Sequence, residues 1–410
     1  MTGSRPASDP PCHDVLVVGG GLVGASLAIA LDRLGMDVAQ VEAAPPGSLP
    51  PVFDQRNLSF ADATVNALGA LGVMAGLRLP PGPIRRIHVS RAGDFGRVLM
   101  QASDYGREAF GQVVVASDFG HALEARMGEL RHLTRYRPAR FTGTCDLGDL
   151  REVRIAQDDG ERVLRARLVV GADGAASGVR RALGIGVDEH DYGQALLVAR
   201  VRASRAPDGT AWERFTATGP TALLPRGDRH YGVVHGVARD DAEAVMAFAE
   251  AGFLARIQAA FGWRAGRFLA AGPRSAYPMV RTVARRTIAP RAVLVGNAAQ
   301  SMHPVGAQGF NLGLRDALTL AELVAAHRDD PGSWEVLRAY AERRREDRER
   351  TLEFSDGLAR VTANDAALLR PLRGLGLMAV DRLPALQARL AGGAMGYRGD
   401  VPALCRRPSA

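Results

Sequence analysis

Lysine is absent from this chain: all 52 basic residues among its 410 are arginines. That excludes a lysine Schiff base, a pyridoxal-phosphate anchor and a phosphate loop ending in Gly-Lys-Ser or Gly-Lys-Thr. Cysteine is scarce, with Cys12, Cys145 and Cys405 far apart in sequence. No CxxC pair or disulfide framework can be built from them, which fits a reducing, cytoplasmic setting. The nine histidines fall into no HExxH or Cys/His spacing, so no metal site is expected. Long apolar runs are missing too. The longest, Val15 to Leu31, is too short to span a bilayer and carries three consecutive glycines near its start. No targeting or transmembrane segment is expected.

What is present is more informative. The 44 acidic residues leave a net charge of +8. The densest basic stretch, Arg338 to Arg350, also holds Glu342, Glu346, Asp347 and Glu349. It reads as a solvated, salt-bridged helix face, and no nucleic-acid partner is expected. Glycine is abundant, 47 residues or about 11% against a usual ~7%, which points to tight turns and close backbone approaches. The length exceeds the ~250–300 residues at which single cores stop growing, so two or three lobes are expected.

Asp14–Val18 is a short apolar run followed by Gly19-Gly20-Gly21 and an apolar stretch to Leu34. It reads as buried strand, tight turn and buried helix. Val38–Val41 is the next strand and ends in Glu42. Helices are expected at about 62–71 and 118–131, strands within 84–115, and a hairpin around Asp158-Asp159-Gly160. Residues 195–238 read as strands, 240–260 and 309–327 as helices, Val293–Val295 as a buried strand, and the chain beyond 330 as largely helical. The pattern is an α/β scaffold interrupted by two β-rich insertions.

Three strand–turn motifs carry chemistry. Gly19-x-Gly21-x-x-Gly24 opens the first helix. Gly19 permits the turn, Gly21 lets a diphosphate approach the backbone, and Gly24 lets helix and strand pack closely. The helix N-terminus offers N–H donors and partial positive charge. Glu42, closing the second strand, is placed to accept hydrogen bonds from an adenosine ribose. In a chain this rich in glycine the bare pattern says little, and an ordinary βα turn is the alternative. The strand before it, the helix after it and the acid at the right distance make it a dinucleotide site. A second motif, Gly171-Ala172-Asp173-Gly174 through Arg180, and a third, Gly296-Asn297 through Pro304 and on to Asp316, also follow buried strands. A plain nicotinamide dehydrogenase would not need them.

In this order the three motifs resemble the FAD-dependent aromatic hydroxylases, the single-component flavoprotein monooxygenases. That branch usually has Asp where this chain has Asn297. The string GNAAQSMHPVGAQGFNLGLRD, residues 296–316, is similar instead to the ubiquinone-biosynthesis hydroxylases. Asp54-x-Arg56, Trp212-Glu213-Arg214-Phe215, Ala260-Phe261-Gly262-Trp263-Arg264, Arg274-Ser275-Ala276-Tyr277-Pro278 and Arg344-Arg345-Glu346-Asp347-Arg348 fit the same branch. The resemblance spans residues 14–398. It departs at Val115-Ala116-Ser117, where many relatives carry an arginine. The FAD contact of that arginine has no counterpart here.

The resemblance implies an FAD-binding Rossmann-like domain of the glutathione-reductase type, an inserted β-sheet substrate domain and a helical C-terminal region. Residues 1–13 are then expected to be unstructured. Residues 14–83, 112–186 and 276–330 would form the FAD domain, 84–111 with 187–275 the substrate domain, and 331–410 the helical region. It implies FAD as cofactor and NAD(P)H as transient reductant. The reaction would hydroxylate a polyprenylated phenol of the octaprenyl-methoxyphenol type with O2, through a flavin C4a-hydroperoxide, in ubiquinone biosynthesis.

Roles follow at matching positions. Gly19, Gly21, Gly24 and Glu42 would hold the nucleotide, with Arg56 reaching FAD or the donor. Asp173 and Gly174 would serve both, and Gly296 and Asn297 would meet the flavin ribitol. Backbone N–H groups of Gly309, Phe310 and Asn311 would face the flavin N1/C2 edge, where a helix dipole favours the reduced form. His303 and Pro304 would lie over the isoalloxazine, unless His303 is a structural histidine. His235 and Tyr277 are acid–base candidates, with packing as the alternative for each.

A long substrate tail calls for a wide apolar entrance or membrane contact. The basic amphipathic stretch Leu368–Leu390 either packs on the core or lies peripherally on the inner membrane or a quinone-biosynthetic partner. A non-catalytic flavin-binding subunit of such an assembly and a hydroxylase of another aromatic remain alternatives. A flavin-dependent halogenase is excluded by the missing lysine and by Trp212, Trp263 and Trp334, which cannot form WxWxIP. A two-site nicotinamide oxidoreductase is excluded because no second GxGxxG occurs.

Overall fold

The computed structural model describes residues 9–363 and 369–407, so the expectations for residues 1–8 and for Leu368 lie outside the described residues. The first strand, Cys12–Val18, begins inside the stretch expected to be unstructured. The reason is pairing: Cys12 and His13 run beside Arg165 and Ala166. His13 is also held between Asp37 and Tyr136, 3.0 Å from each.

Five strands run parallel in the order Ala292–Leu294, Gly160–Gly171, Cys12–Val18, Val38–Val41 and Leu133–Tyr136. Val15–Val18, Val38–Val41, Leu168–Val170 and Ala292–Leu294 are buried throughout, as the centre of a parallel sheet covered on both faces must be, while the edge strand Leu133–Tyr136 carries Thr134 and Arg135. Val15 and Val17 belong to the core under the helices Leu22–Asp32 and Gln308–Ala326. Leu16 and Val18 belong to a second core that includes the antiparallel strand Arg151–Gln157.

A second, eight-stranded sheet runs in the order Gln300–Ser301, Phe268–Ala284, Val187–Ala203, Tyr231–Ala238, Gly219–Pro225, Thr210–Thr216, Arg86–Arg91 and Arg97–Gln101. Its one parallel pair joins Thr210–Thr216 to Arg86–Arg91, so a segment from early in the chain completes a sheet made mostly of later ones. Leu197, Leu223 and Val233 share a core with Phe253, Ile257 and Phe261 of the helix Glu250–Phe261. The 17-residue strand Phe268–Ala284 has no sequence signal, because Gly272, Pro273 and Pro278 interrupt its pattern. It pairs with Val187–Ala203 on both sides of position 275/276, where the sequence places a domain boundary. A small sheet of Asn57–Ala61, Gly111–Val115 and Gly82–Pro83 completes the β structure.

The 30-residue helix Trp334–Ala363 packs on Gln308–Ala326, and the helices Leu369–Arg382 and Pro384–Ala394 follow it. Within Arg338–Arg350 the outward residues pair as a solvated face should, Arg345 with Glu342 at 2.9 Å and Arg350 with Glu346 at 2.7 Å. Arg344 and Asp347 do not fit that expectation. Both are buried against Arg315 and Asp316, because one stripe of a packed helix must face its neighbour.

Candidate active site

The glycine turn is tight enough to exclude side chains. Gly19 adopts φ +108°, and a Cβ there would sit 2.5 Å from the Ala172 oxygen of the second motif. A Cβ at Gly24 would fall 2.0 Å from the Gly19 oxygen, and one at Gly296 would meet Val23 at 2.9 Å. The three motifs are therefore brought together by close contacts that only glycine allows. Glu42 is held by the same turn: its carboxylate accepts from the Gly20 N–H at 2.6 Å and the Ala44 N–H at 2.7 Å.

These motifs open on a cleft of about 980 Å³. Of the residues expected at the site, Gly19, Gly21, Glu42, Arg56, Asp173, Gly174, Tyr277, Asn297, Pro304, Gly309 and Phe310 line it. Gly24, Gly296, Asn311, His303 and His235 do not. Gly24 and Gly296 act from behind, by close packing.

Asp173 accepts from the Ser177 hydroxyl and from the Val179 N–H at 3.0 Å, so its carboxylate caps the helix Gly178–Ala182. Arg180 then ties the second motif to the third, donating to the oxygens of Ala175 at 2.7 Å and Ala298 at 2.9 Å. Asn297 is exposed on the cleft wall. Gly306 and Ala307 are both left-handed, φ +73° and +52°, an uncommon geometry for alanine. They turn the chain into the helix Gln308–Ala326, whose first N–H groups have no intrahelical partner. The Asn311 amide is fully used by the protein. It accepts from Ala61 and Thr64 and donates to Ser59 and Ala307, which leaves only its backbone for a ligand.

The third motif is anchored from below by charge. Asp316 accepts from the Gly296 N–H at 3.2 Å and from Gln300 at 2.7 Å. It also pairs with Arg344 at 2.8 Å, and Arg344 pairs with Asp347 at 2.8 Å. Burial would raise the Asp347 carboxyl, but Arg315 and Arg344 outweigh it and hold it below the usual range.

Arg56 and Tyr277 meet at the opposite wall through Asp54. Arg56 donates twice to Asp54 at 2.8 Å, its guanidinium lies 4.2 Å over the Tyr277 ring, and the Tyr277 hydroxyl donates to the same carboxylate. Burial would raise Asp54, yet these hydrogen bonds bring it below its ordinary value, while burial and Asp54 push Tyr277 up. The loop is fixed to the next helix at the point where the sequence departs from its relatives. Ala116 and Ser117 donate their N–H groups to the oxygens of Arg56 and Asp54, both at 2.9 Å.

Neither His303 nor His235 lines the cleft. His303 is buried, with Ser355 donating to its carbonyl at 2.7 Å and the Tyr192 ring edge-on at 5.0 Å, and burial lowers it to about 4. It fixes the segment from which Pro304 reaches the cleft. His235 bonds Thr221 at 2.9 Å and Arg256 at 3.2 Å, on the helix-covered face of the second sheet, and burial lowers it to about 4 as well. The strand Tyr231–Ala238 is apolar on both sides, so its sequence gave no sign of which face His235 takes. Asp54 and Asn57 reach the site without having been singled out as site residues. The Asp54-x-Arg56 spacing was the only signal for the first.

The residues present fit FAD. Close-packed glycines make room for a diphosphate, Glu42 is preset for a ribose, and a second helix N-terminus borders the far end of a long cleft. The chain belongs to the family of the FAD binding domain, whose pattern matches residues 13–355. It is 37% identical over 399 residues to ubiquinone hydroxylase UbiL of Rhodospirillum rubrum, covering 96% of this chain and 92% of that protein. It is 31% identical to the 3-demethoxyubiquinol 3-hydroxylase of Escherichia coli, covering 93% and 98%. In fold it is similar to p-nitrophenol 4-monooxygenase PnpA of Pseudomonas putida, with a TM-score of 0.79 over 95% of this chain and 99% of that one, at 18% identity.

Proposed function

We propose that this chain is an FAD-dependent monooxygenase that hydroxylates the ring of a polyprenylated phenol in ubiquinone biosynthesis, with NAD(P)H as reductant and O2 as oxidant. The relatives that carry this reading are ubiquinone-pathway hydroxylases aligned along nearly the whole chain. The observation that supports it best is the convergence of three glycine motifs and a helix N-terminus on one cleft closed by a second sheet. An octaprenyl-methoxyphenol type of substrate remains the specific form of the proposal.

When bound, FAD supplies the two-electron exchange with the nicotinamide and the activation of oxygen. The protein supplies position and surroundings. Gly19 and Gly21 would leave space for the diphosphate, Glu42 would take the ribose and Asn297 the ribitol. The N–H groups of Gly309 and Phe310 would face the end where negative charge collects on reduction. Pro304 and Phe310 would help keep water from the reacting centre.

Deleting the gene and measuring quinone precursors by mass spectrometry tests the reading. Accumulation of a prenylated phenol is expected, and an unchanged quinone profile would remove the assignment.

The helices Leu369–Arg382 and Pro384–Ala394 support a finer proposal about partners. Leu377 and Val380 pack inward on the sheet, while Leu372, Leu375, Met378, Leu383 and Leu386 are exposed beside Arg370, Arg382 and Arg389. Such a surface suits peripheral contact with an anionic bilayer, where a polyprenylated substrate resides. Among the described residues no helix is long and apolar enough to cross a membrane. Vesicles containing anionic lipid should sediment the wild-type holoprotein but not a variant with Leu372→Ser and Leu375→Ser. Equal recovery of both in the supernatant would end this part of the proposal.

A further inference from the structure

The registers of the second sheet can be followed residue by residue. Ser275 pairs with Val198, Val198 with Val234, Val234 with Ala222, and Ala222 with Glu213. Paired residues point to the same face, so Glu213 shares a face with Ser275 and with Tyr277, two residues on, which lines the cleft. His235, Trp212 and Arg214 take the other face, toward the helix Glu250–Phe261.

The two faces are filled differently. On the helix side Leu197, Leu223 and Val233 are completely buried. On the Glu213 side Val198, Val234 and Leu224 stay partly exposed although they sit on central strands. Leu224 packs on the core that includes Ala211, Ala391 and Met395, and the helix Trp334–Ala363 reaches the strands Thr210–Thr216 and Gly219–Pro225, so the open part of this wall is the stretch at Val198 and Val234. It also reaches the cleft: a Cβ at Gly232 would strike the cleft-lining Asn57, and Gly232 lies two residues from Val234 on the same face. Two strand spacings and two residues separate Gly232 from Glu213, about 12 Å across the sheet.

Ser275, Tyr277 and Arg200 share this face, Arg200 lying 3.6 Å from Asp228, and Glu213 is the carboxylic acid among them. Among the described residues its carboxylate has no hydrogen-bond or ion-pair partner, and burial alone raises it to about 8. Charged groups around that face are engaged elsewhere. Arg91 lies 3.5 Å from Asp94, Arg373 bonds Asp94 at 3.0 Å, Asp381 accepts from the Leu99 N–H, and Asp356 holds Tyr192. A carboxyl that is partly accessible yet strongly desolvated marks the wall of an internal space rather than an outer surface.

We propose that Glu213 is the residue that receives the hydroxyl of the aromatic substrate, accepting its hydrogen bond and then its proton. This rests on the hydroxylase reading above. In the step, the phenol O–H bond breaks, the proton joins a carboxylate oxygen of Glu213, and the electron pair stays on the phenol oxygen. The ring carbons ortho and para to that oxygen become more electron-rich, which an electrophilic oxygen transfer requires. A base that titrates near the operating pH suits such a transfer. The other candidates are committed: Tyr277 donates to Asp54, His303 is enclosed, and His235 faces away.

The test uses purified holoprotein, a geranyl-substituted methoxyphenol and its methyl ether. Wild-type kcat/KM should rise through a midpoint near pH 8, and the phenol should perturb the flavin spectrum more strongly than the ether. Glu213→Gln should keep its FAD and its yellow colour, lose the pH-dependent limb and the preference for phenol over ether, and drop kcat about 100-fold. Should that variant fail to hold FAD, Glu213→Asp is measured instead, and a lowered kcat with a displaced midpoint is expected. A variant with the wild-type rate and pH profile overturns the assignment of Glu213. A wild-type holoprotein that hydroxylates no phenol overturns the hydroxylase reading instead.

Discussion

Two buried carboxyl environments lie in different parts of this molecule, and they are solved in opposite ways. Asp347 sits beneath the third glycine motif between Arg315 and Arg344, and its carboxyl is held below the usual range. Glu213 sits on the inner face of the second sheet with nothing to offset its burial, and it is raised to about 8. The first arrangement is a fastening. The second keeps an unpartnered carboxyl protonated through neutral pH, which structure alone does not call for.

The comparison breaks most visibly if the fastening is cut. Arg344→Ala leaves Asp316 and Asp347 buried without that cation, and losing one partner of a buried pair costs about 3–5 kcal/mol. The urea midpoint should fall accordingly and FAD should be retained poorly, because Asp316 also steadies the Gly296 N–H. An unchanged midpoint would show that the network carries no load.

Stability against pH sharpens the contrast next. Burial pushes the Glu213 carboxyl up to about 8 in the folded chain, against an ordinary 4.5 when unfolded. Between these the folded state holds a proton that the unfolded state has released, so stability falls as pH rises from 4.5 toward 8. Asp347 acts in the other direction: its contribution is present above the ordinary 3.8 and is lost as pH falls below it. Glu213→Gln should therefore flatten the loss between pH 4.5 and 8 in denaturation curves and leave the acid side alone. A wild-type slope in the variant would contradict the raised value.

The smallest effect is expected on the far side of the same sheet. His235→Gln should change kcat less than twofold and cost about 1 kcal/mol, the worth of a single hydrogen bond. A loss of turnover comparable to that of Glu213→Gln would mean that the two faces have been assigned the wrong way round.

Much of the cofactor side was legible because it is made of backbone. A tight turn, a diphosphate approach and a helix packed on a strand all require glycine, and glycine is visible in sequence. Four of the five parallel strands were legible from apolar runs, while the edge strand Leu133–Tyr136, with Thr134 and Arg135, was not. The substrate side was not, because it depends on which way alternate side chains point. Glu213 in Trp212-Glu213-Arg214-Phe215 has nothing to distinguish it from a surface acid until four strand pairings place it on the same sheet face as Tyr277. Arg344 and Asp347 were misjudged for a related reason, since a dense mix of charges looks solvated until the helix it packs on is known.

The strand Phe268–Ala284 carries Tyr277 and Thr282 on the cleft wall while remaining paired with Val187–Ala203 through most of its length. Register shifts flank the stretch Arg274–Pro278, but within it the pairing is unbroken, so that stretch obeys a rule of parity. Adding or removing a single residue between Ser275 and Pro278 would rotate one half of the strand against the other and turn a cleft-facing side chain into an outward one. Changes of length in this segment can be absorbed only in pairs, or by a bulge that restores the count.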